Sequence, residues 1–188
     1  MRKILFAILS ALALVGTKAD TRPVTVINGC GWGLNVHIGN GDHGGHNMPS
    51  GSTAYGSVGV SDRVWADQHG VADTHTLAEF NVNGDGHGTD WYDISLVDGF
   101  TYPIGIYPDG GSGDCKGLTC NNWAIKTECP DNLKIYDQGQ LVSCRNHGGN
   151  PPFFKARCPQ AYSYDYDDQT SLHTCNNPRG YKIVFCPQ

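Results

Sequence analysis

Eight cysteines (Cys30, Cys115, Cys120, Cys129, Cys144, Cys158, Cys175 and Cys186) follow an opening segment that reads MRKILFAILSALALVGTKAD. That segment carries Arg2 and Lys3, an apolar run from Ile4 to Val15, and small residues ending at Ala19. This is the pattern of a secretory signal peptide over residues 1–19, cleaved after Ala19, and its apolar run is too short to cross a bilayer. The protein is therefore expected to be secreted and extracellular, where an even cysteine count points to four disulfides. Spacing alone leaves roughly a hundred connectivities open. Zinc is the competing use, but the shortest spacing is Cys115-x4-Cys120, with no CxxC and no histidine pair at zinc-site spacing.

Residues 20–188 have the length of one ordinary domain. Without Arg2, Lys3 and Lys18 the chain holds ten basic residues against eighteen acidic ones, a formal charge of −8. Nucleic acid and anionic membranes are poor partners for such a surface. The acids are sixteen Asp and two Glu, and with 25 Gly and 10 Pro they disfavour helix and favour strands joined by turns.

Short alternating runs bear this out along the chain: RPVTVIN (22–28), GLNVHIG (33–39), RVWAD (63–67), TLAEFNVN (76–83), YPIGIYP (102–108), LKIYD (133–137) and YKIVFCP (181–187). Segments this short and numerous predict an all-β sandwich or related barrel. No stretch of a dozen residues carries a helical stripe. The sandwich is expected over 20–114 and 176–188. Residues from about 115 to 175, with six of the cysteines and many Asn, Pro and Gly, read as a small disulfide-rich loop lobe.

The stretch DWYDISLVDGF (90–100) places three aspartates in a strand-like segment. It follows TLAEFNVN across the turn-forming GDGHGT, so an antiparallel hairpin is expected. Centred near Gly86, that hairpin sets Glu79 opposite Asp93 on one face, Cβ atoms roughly 5 Å apart, with Ala78, Phe80 and Val82 on the core face. A slip of one residue would send Asp93 to the other side. Each carboxylate should raise the other's pKa unless a cation or hydrogen bonds intervene. Pattern alone also fits a solvated hairpin face. Asp98 has the opposite parity and needs the turn at Asp98-Gly99 to re-aim it.

TLAEF (76–80), YDISLVDGF (92–100), CPQAYSYDYDD (158–168) and YKIVFCP (181–187) resemble the thaumatin-like proteins, the pathogenesis-related group 5 type. The resemblance runs from VINGCGWGLNV to Cys186. It implies a flattened β-sandwich, a disulfide-rich lobe beside it, and an acidic cleft between the two. It implies a cleft of one arginine and four acids, matched here by Arg63, Glu79, Asp93, Asp98 and Asp167, and disulfides Cys30–Cys186, Cys115–Cys175, Cys120–Cys158 and Cys129–Cys144. Most family members carry about twice as many cysteines. The stretch between Arg63 and Glu79 and the lobe between Cys129 and Cys158 are trimmed, as in a small-type member with a shallower cleft.

The chemistry that wants clustered carboxylates is recognition or hydrolysis of a sugar polymer. On this reading Glu79 is the general acid and Asp98 the nucleophile or base. Asp93 and Asp167 bind sugar hydroxyls, and Arg63 keeps one acid ionised. Phe100, Tyr102, Tyr162 and Tyr164 flank the acids and offer flat rings to a sugar face, although such rings are more often core. The four tryptophans read as core or edge packing.

NVNGDGH (81–87) imitates a calcium loop but has Tyr92 where a bidentate Glu belongs, so it reads as a hairpin turn. GDHGGH, with His43 and His46, reads as a surface loop. There is no N-x-[ST] acceptor, P-loop, dinucleotide motif or serine elbow, and a monomer without metal or cofactor is expected. Three functions stay open: a weak endo-β-1,3-glucanase, a non-catalytic β-1,3-glucan-binding antifungal defence protein, and an inhibitor of a secreted hydrolase such as a xylanase or protease.

Overall fold

Alternation decides where the chain turns into strand. In Arg22–Asn28 (β1), Val24, Val26 and Asn28 are buried while Thr25 and Ile27 are partly exposed, the period-two signature of a sheet with one covered face. The computed structural model describes residues 20–42, 44–67 and 74–188. The signal peptide expected over 1–19, His43, and residues 68–73 of the trimmed stretch lie outside the described residues.

After β1 come β2 (Leu34–Ile38), β3 (His46–Met48), β4 (Thr53–Val58), β5 (Asp62–Asp67), β6 (Leu77–Asn81) and β7 (Thr89–Ser95). They are followed by β8 (Gly99–Phe100), β9 (Ile104–Asp109), β10 (Leu118–Cys120), β11 (Lys134–Asp137), β12 (Gln140–Arg145), β13 (His173–Asn176) and β14 (Gly180–Phe185). Among the described residues three short α-helices interrupt them, α1 (Ala124–Thr127), α2 (Pro151–Arg157) and α3 (Asp168–Ser171), with a 3-10 turn at Asp131–Leu133. The fold is all-β, as its composition predicts. In α2, two prolines supply the first turn, where missing N–H groups cost nothing.

Two sheets form the sandwich, one ordered β10-β9-β14-β1-β4 and one ordered β13-β7-β6-β5-β2-β3. A third sheet, β11-β12-β8, belongs to the lobe side. Segments Leu118–Cys120 and His173–Asn176 thus join the large sheets, and Gly99–Phe100 joins the small one. Between the two large sheets lie Val24, Val26, Ile104, Ile106, Ile183 and Phe185 from one side and Val36, Val64, Ala78, Phe80 and Ile94 from the other, all buried. Tyr181 reaches across to Phe80 and Tyr92, ring centroids 4.9 and 5.4 Å apart.

The first and last strands, β1 and β14, run parallel and adjacent. Cys30–Cys186 ties their ends across 156 residues of sequence. Cys115–Cys175, Cys120–Cys158 and Cys129–Cys144 pin the lobe to β13, β10 and β12. These are the pairs that the family resemblance implies. Among the described residues no helix is long and apolar enough to cross a membrane.

Candidate functional site

The register of three neighbouring strands builds an acidic row. On β5 and β6, Arg63 lies opposite Glu79; on β6 and β7, Glu79 lies opposite Asp93. The hairpin is centred where its spacing predicts, and Ala78, Phe80 and Val82 are buried on the other face. Its turn is closed by side chains. Asn83 Oδ1 accepts from Gly88 N at 2.6 Å, and Asp85 Oδ1 accepts from His87 N at 2.8 Å and Thr89 N at 3.1 Å. The calcium-like segment therefore uses its carboxylate to hold the turn.

Asp98 follows the end of β7, where the chain swings from the large sheet into the small one. Gly99 makes that swing at φ +153°, and a Cβ there would stand 2.5 Å from the Cys144 carbonyl oxygen. The turn brings Asp98 close enough for its charge to be felt by Glu79.

The carboxylates of the row sit in unequal surroundings. Asp93 is 9% exposed, and among the described residues its Oδ1 has no hydrogen-bond partner. Burial, then the Glu79 charge, then the Asp168 charge push its carboxyl well above the ordinary range. Burial also raises Glu79, but a hydrogen bond from Ser95 and the Arg63 charge oppose it. Burial thus raises both carboxyls of the pair, and Ser95 and Arg63 oppose it at Glu79, the residue to which the sequence assigns the acid role. Arg63 is exposed, its guanidinium 5.5 Å over the Trp65 ring.

Asp167 is held in an ion pair. Its buried carboxylate pairs with Lys155 Nζ at 2.5 Å and accepts from Thr170 Oγ1 at 2.7 Å and Ser171 Oγ at 3.1 Å. Burial alone would raise it, but these bonds and the Lys155 charge hold the carboxyl below its ordinary value. Asp168, next in sequence, is exposed, accepts from Tyr162 Oη at 2.6 Å and is the acid felt at Asp93. The resemblance assigns the first acid of the DD pair, Asp167, to the cleft; the packing of Lys155 holds that residue in an ion pair, while the charge of Asp168 is the one felt at Asp93.

Two adjoining hollows open over the row. One, of about 380 Å³, is lined by Ser61, Glu79, Asn81, Trp91, Asp93 and Leu172 among others. The second, of about 330 Å³, is lined by Glu79, Asp93, Ser95, Tyr162, Asp165 and Tyr166 among others. Glu79 and Asp93 line both. The strip that bears the tyrosines is held beside β7 by Tyr162 N donating to Ile94 O at 2.8 Å and Leu96 N donating to Tyr162 O at 2.7 Å. Asn146 Nδ2 clamps it further, donating to Leu96 O at 2.8 Å and Ser163 O at 2.6 Å.

Phe100 and Tyr102 do not offer faces to a ligand here. Phe100 is fully buried with its edge toward Trp123, and Tyr102 is buried between Trp32 and Trp123. Apolar ring area gains more from the core than from a wet surface, so both go inward. Burial pushes the Tyr102 phenol up to about 12. Among the aromatic residues that line the hollows are Trp91, Tyr162 and Tyr166, the last 93% exposed in a left-handed backbone conformation, φ +67°. Trp91 shares a face with Asp93 two residues on, a parity the sequence already carries. Tyr164 is exposed, and its hydroxyl is hydrogen-bonded to Asp167. Tyr166 lies inside the quoted CPQAYSYDYDD, where nothing in the pattern separates it from the neighbouring tyrosines.

Comparison with known proteins decides the relationship. The model of the Thaumatin family matches residues 54–151 and 148–187. The chain belongs to the thaumatin family. It is 45% identical over 135 residues to pathogenesis-related protein 5 of Arabidopsis thaliana, an overlap of 60% of this chain and 55% of that one. To glucan endo-1,3-beta-glucosidase of Prunus avium it is 37% identical over 152 residues, 68% of this chain and 61% of the relative. To thaumatin-like protein 1b of Malus domestica it is 34% identical over 151 residues, 68% and 70% of the two chains. This thaumatin-family chain thus spans 55% and 61% of the length of the first two relatives. Among solved structures, the protein elicitor MoHrip2 of Magnaporthe oryzae superposes with a TM-score of 0.50 at 11% identity, covering 88% of this chain and 99% of that one, a likeness of fold alone.

Proposed function

We propose that this is a secreted defence protein that binds β-1,3-glucan in an acidic cleft formed by the two hollows. The observation that carries the reading is the Arg63, Glu79, Asp93 row with Trp91, Tyr162 and Tyr166 around it. Ionised carboxylates accept from sugar hydroxyls, Arg63 donates to them, and the rings cover the C–H faces of the pyranoses. A relative named as a glucan endo-1,3-beta-glucosidase and another named as a pathogenesis-related protein support the same class of ligand and role. The signal-peptide pattern and the four disulfides support secretion.

One observation favours hydrolysis as well as binding. Two neighbouring carboxyls in unequal surroundings, one beside a cation and a hydrogen-bond donor and the other more deeply buried, can share the acid and base roles. With Asp93 protonated, its proton goes to the glycosidic oxygen as the C–O bond breaks. The carboxylate of Glu79 or of Asp98 attacks the anomeric carbon or deprotonates the water that does. The test is retention of the oxidised protein on insoluble β-1,3-glucan together with reducing-end release from soluble glucan. Retention falling at least tenfold in Glu79→Gln is expected, and release, where present, should vanish in both Glu79→Gln and Asp93→Asn. Retention untouched by Glu79→Gln would overturn the cleft reading, and retention without release would withdraw the catalytic roles.

A further inference from the structure

A second group of aromatic residues lies away from the acidic row, around a lysine. Trp32, in the loop between β1 and β2, and Trp123, just before α1, are 40% and 36% exposed, large values for tryptophan. Their ring centroids lie 5.9 Å apart with the planes tilted by 58°, forming a shallow V. Tyr102 supports both from below, 6.3 Å from Trp32 and 6.5 Å from Trp123. Lys126 Nζ stands 5.1 Å over the Tyr102 ring and 6.0 Å over the Trp123 ring. Trp123 and Lys126 are three residues apart and share one side of α1.

The group is held rigidly. Asn28 Nδ2 donates to the Trp32 carbonyl at 2.8 Å, and Cys30–Cys186 lies two residues before it. Cys120–Cys158 precedes Trp123, Ile125 is fully buried beneath the helix, and Cys129–Cys144 follows Lys126. Rings fixed in this way bind without an ordering cost.

Among the described residues no carboxylate pairs with Lys126, and Glu128, two residues on, is taken by Arg157 at 2.6 Å. Aromatic faces partly compensate a half-buried ammonium, but a hydrogen-bonded carboxylate does so more fully. The occupant that matches must present an apolar flat face to the tilted tryptophans and an anion to Lys126 within the same small unit. A neutral pyranose lacks the second, and a free phosphate lacks the first.

We propose that this patch binds a hexuronate unit of an acidic polysaccharide, the sugar's C–H face on Trp32 and Trp123 and its carboxylate on Lys126 Nζ. The site is separate from the acidic row, none of whose hollows is lined by these three residues. Burial pulls the Lys126 ammonium down to about 8, so binding should weaken as pH rises from 7 to 9 while the uronate stays ionised. The other charged or titratable groups facing the patch are the Tyr102 phenol, held up to about 12, the Asp67 carboxylate felt at that phenol, and the Glu128–Arg157 pair.

Calorimetric titration of the oxidised protein with trigalacturonate, beside its fully methyl-esterified form, tests this. At pH 7 the free acid should bind at least tenfold tighter than the ester, and Lys126→Met and Trp123→Ala should each lose at least tenfold. The Lys126→Met protein should unfold at the parent's temperature and keep its retention on β-1,3-glucan. Lys182, likewise over a tyrosine ring at 5.2 Å, supplies the control, and Lys182→Met should bind like the parent. Equal binding of acid and ester, an equal loss in Lys182→Met, an unaffected Lys126→Met, or no binding of either probe would each overturn the proposal.

Discussion

Replacing Asp93 by Asn should make the protein more stable at neutral pH. Asp93 is 9% exposed, faces Glu79 across the hairpin, and has one carboxylate oxygen without a partner among the described residues. Keeping this carboxyl buried at pH 7 costs about 1–3 kcal/mol, whether it stays ionised and desolvated opposite Glu79 or takes up a proton to avoid that. An asparagine keeps the shape, removes the charge, and lets its amide donate to Glu79. A gain of about 1–3 kcal/mol at pH 7 corresponds to roughly 3–9 °C in Tm for a domain of this size. The sign with pH follows from the raised carboxyl. Its folded pKa lies above the unfolded one, so the native state holds the proton longer and stability falls as pH rises from about 4 through the folded value. The advantage of Asp93→Asn should therefore shrink toward zero as pH drops below about 4. Thermal unfolding followed by near-UV circular dichroism at pH 7 and pH 3.5 reads both effects. A variant less stable than the parent at pH 7, or one whose gain persists undiminished at pH 3.5, would refute the account of Asp93 as a buried carboxyl that is costly to ionise.

Asp167 should behave in the opposite sense. Its carboxyl is held low by Lys155, so it contributes stability above the ordinary carboxylate range that is lost as pH falls through its lowered folded value. Lys155→Met should cost roughly 2–4 kcal/mol at pH 7, less than for a fully buried pair because Lys155 is partly exposed, and the deficit should narrow in acid; denaturant titrations at pH 7 and pH 3 check this. The aromatics separate packing from binding. Phe100→Ala should lose about 3–5 kcal/mol of stability in the same titration, with glucan retention unchanged in whatever fraction is folded. Tyr166→Ala, which removes an exposed ring, should leave stability within about 0.5 kcal/mol and weaken retention on glucan.

Much of this molecule is legible in the order of its residues. The alternating runs at 22–28, 33–39, 63–67 and 181–187 became β1, β2, β5 and β14 because alternation is a local property that any covered sheet face exploits. The opposition of Glu79 and Asp93 was equally readable, since a turn of known centre dictates which residues meet. Strands without strong alternation were not. His46–Met48 and Thr53–Val58 lie toward the edges of their sheets, Thr53–Val58 contains Gly56, and their pairing comes from neighbours supplied by distant segments.

The candidate site divides in the same way. Sequence by itself determined which carboxyls lie on one strand face, because parity and turn length are counted along the chain. Tertiary structure alone decided which of them share surroundings. Asp167 and Asp168 are adjacent letters, yet Lys155 of α2 draws one into a buried ion pair and leaves the other facing Asp93. Phe100 and Tyr102 flank the acids in sequence, yet the packing of Trp32 and Trp123 places both rings in the interior. The physical reason is that desolvation and pairing are set by everything within a few ångströms, and those neighbours come from segments 12 to 70 residues away, such as Lys155 to Asp167 and Trp32 to Tyr102.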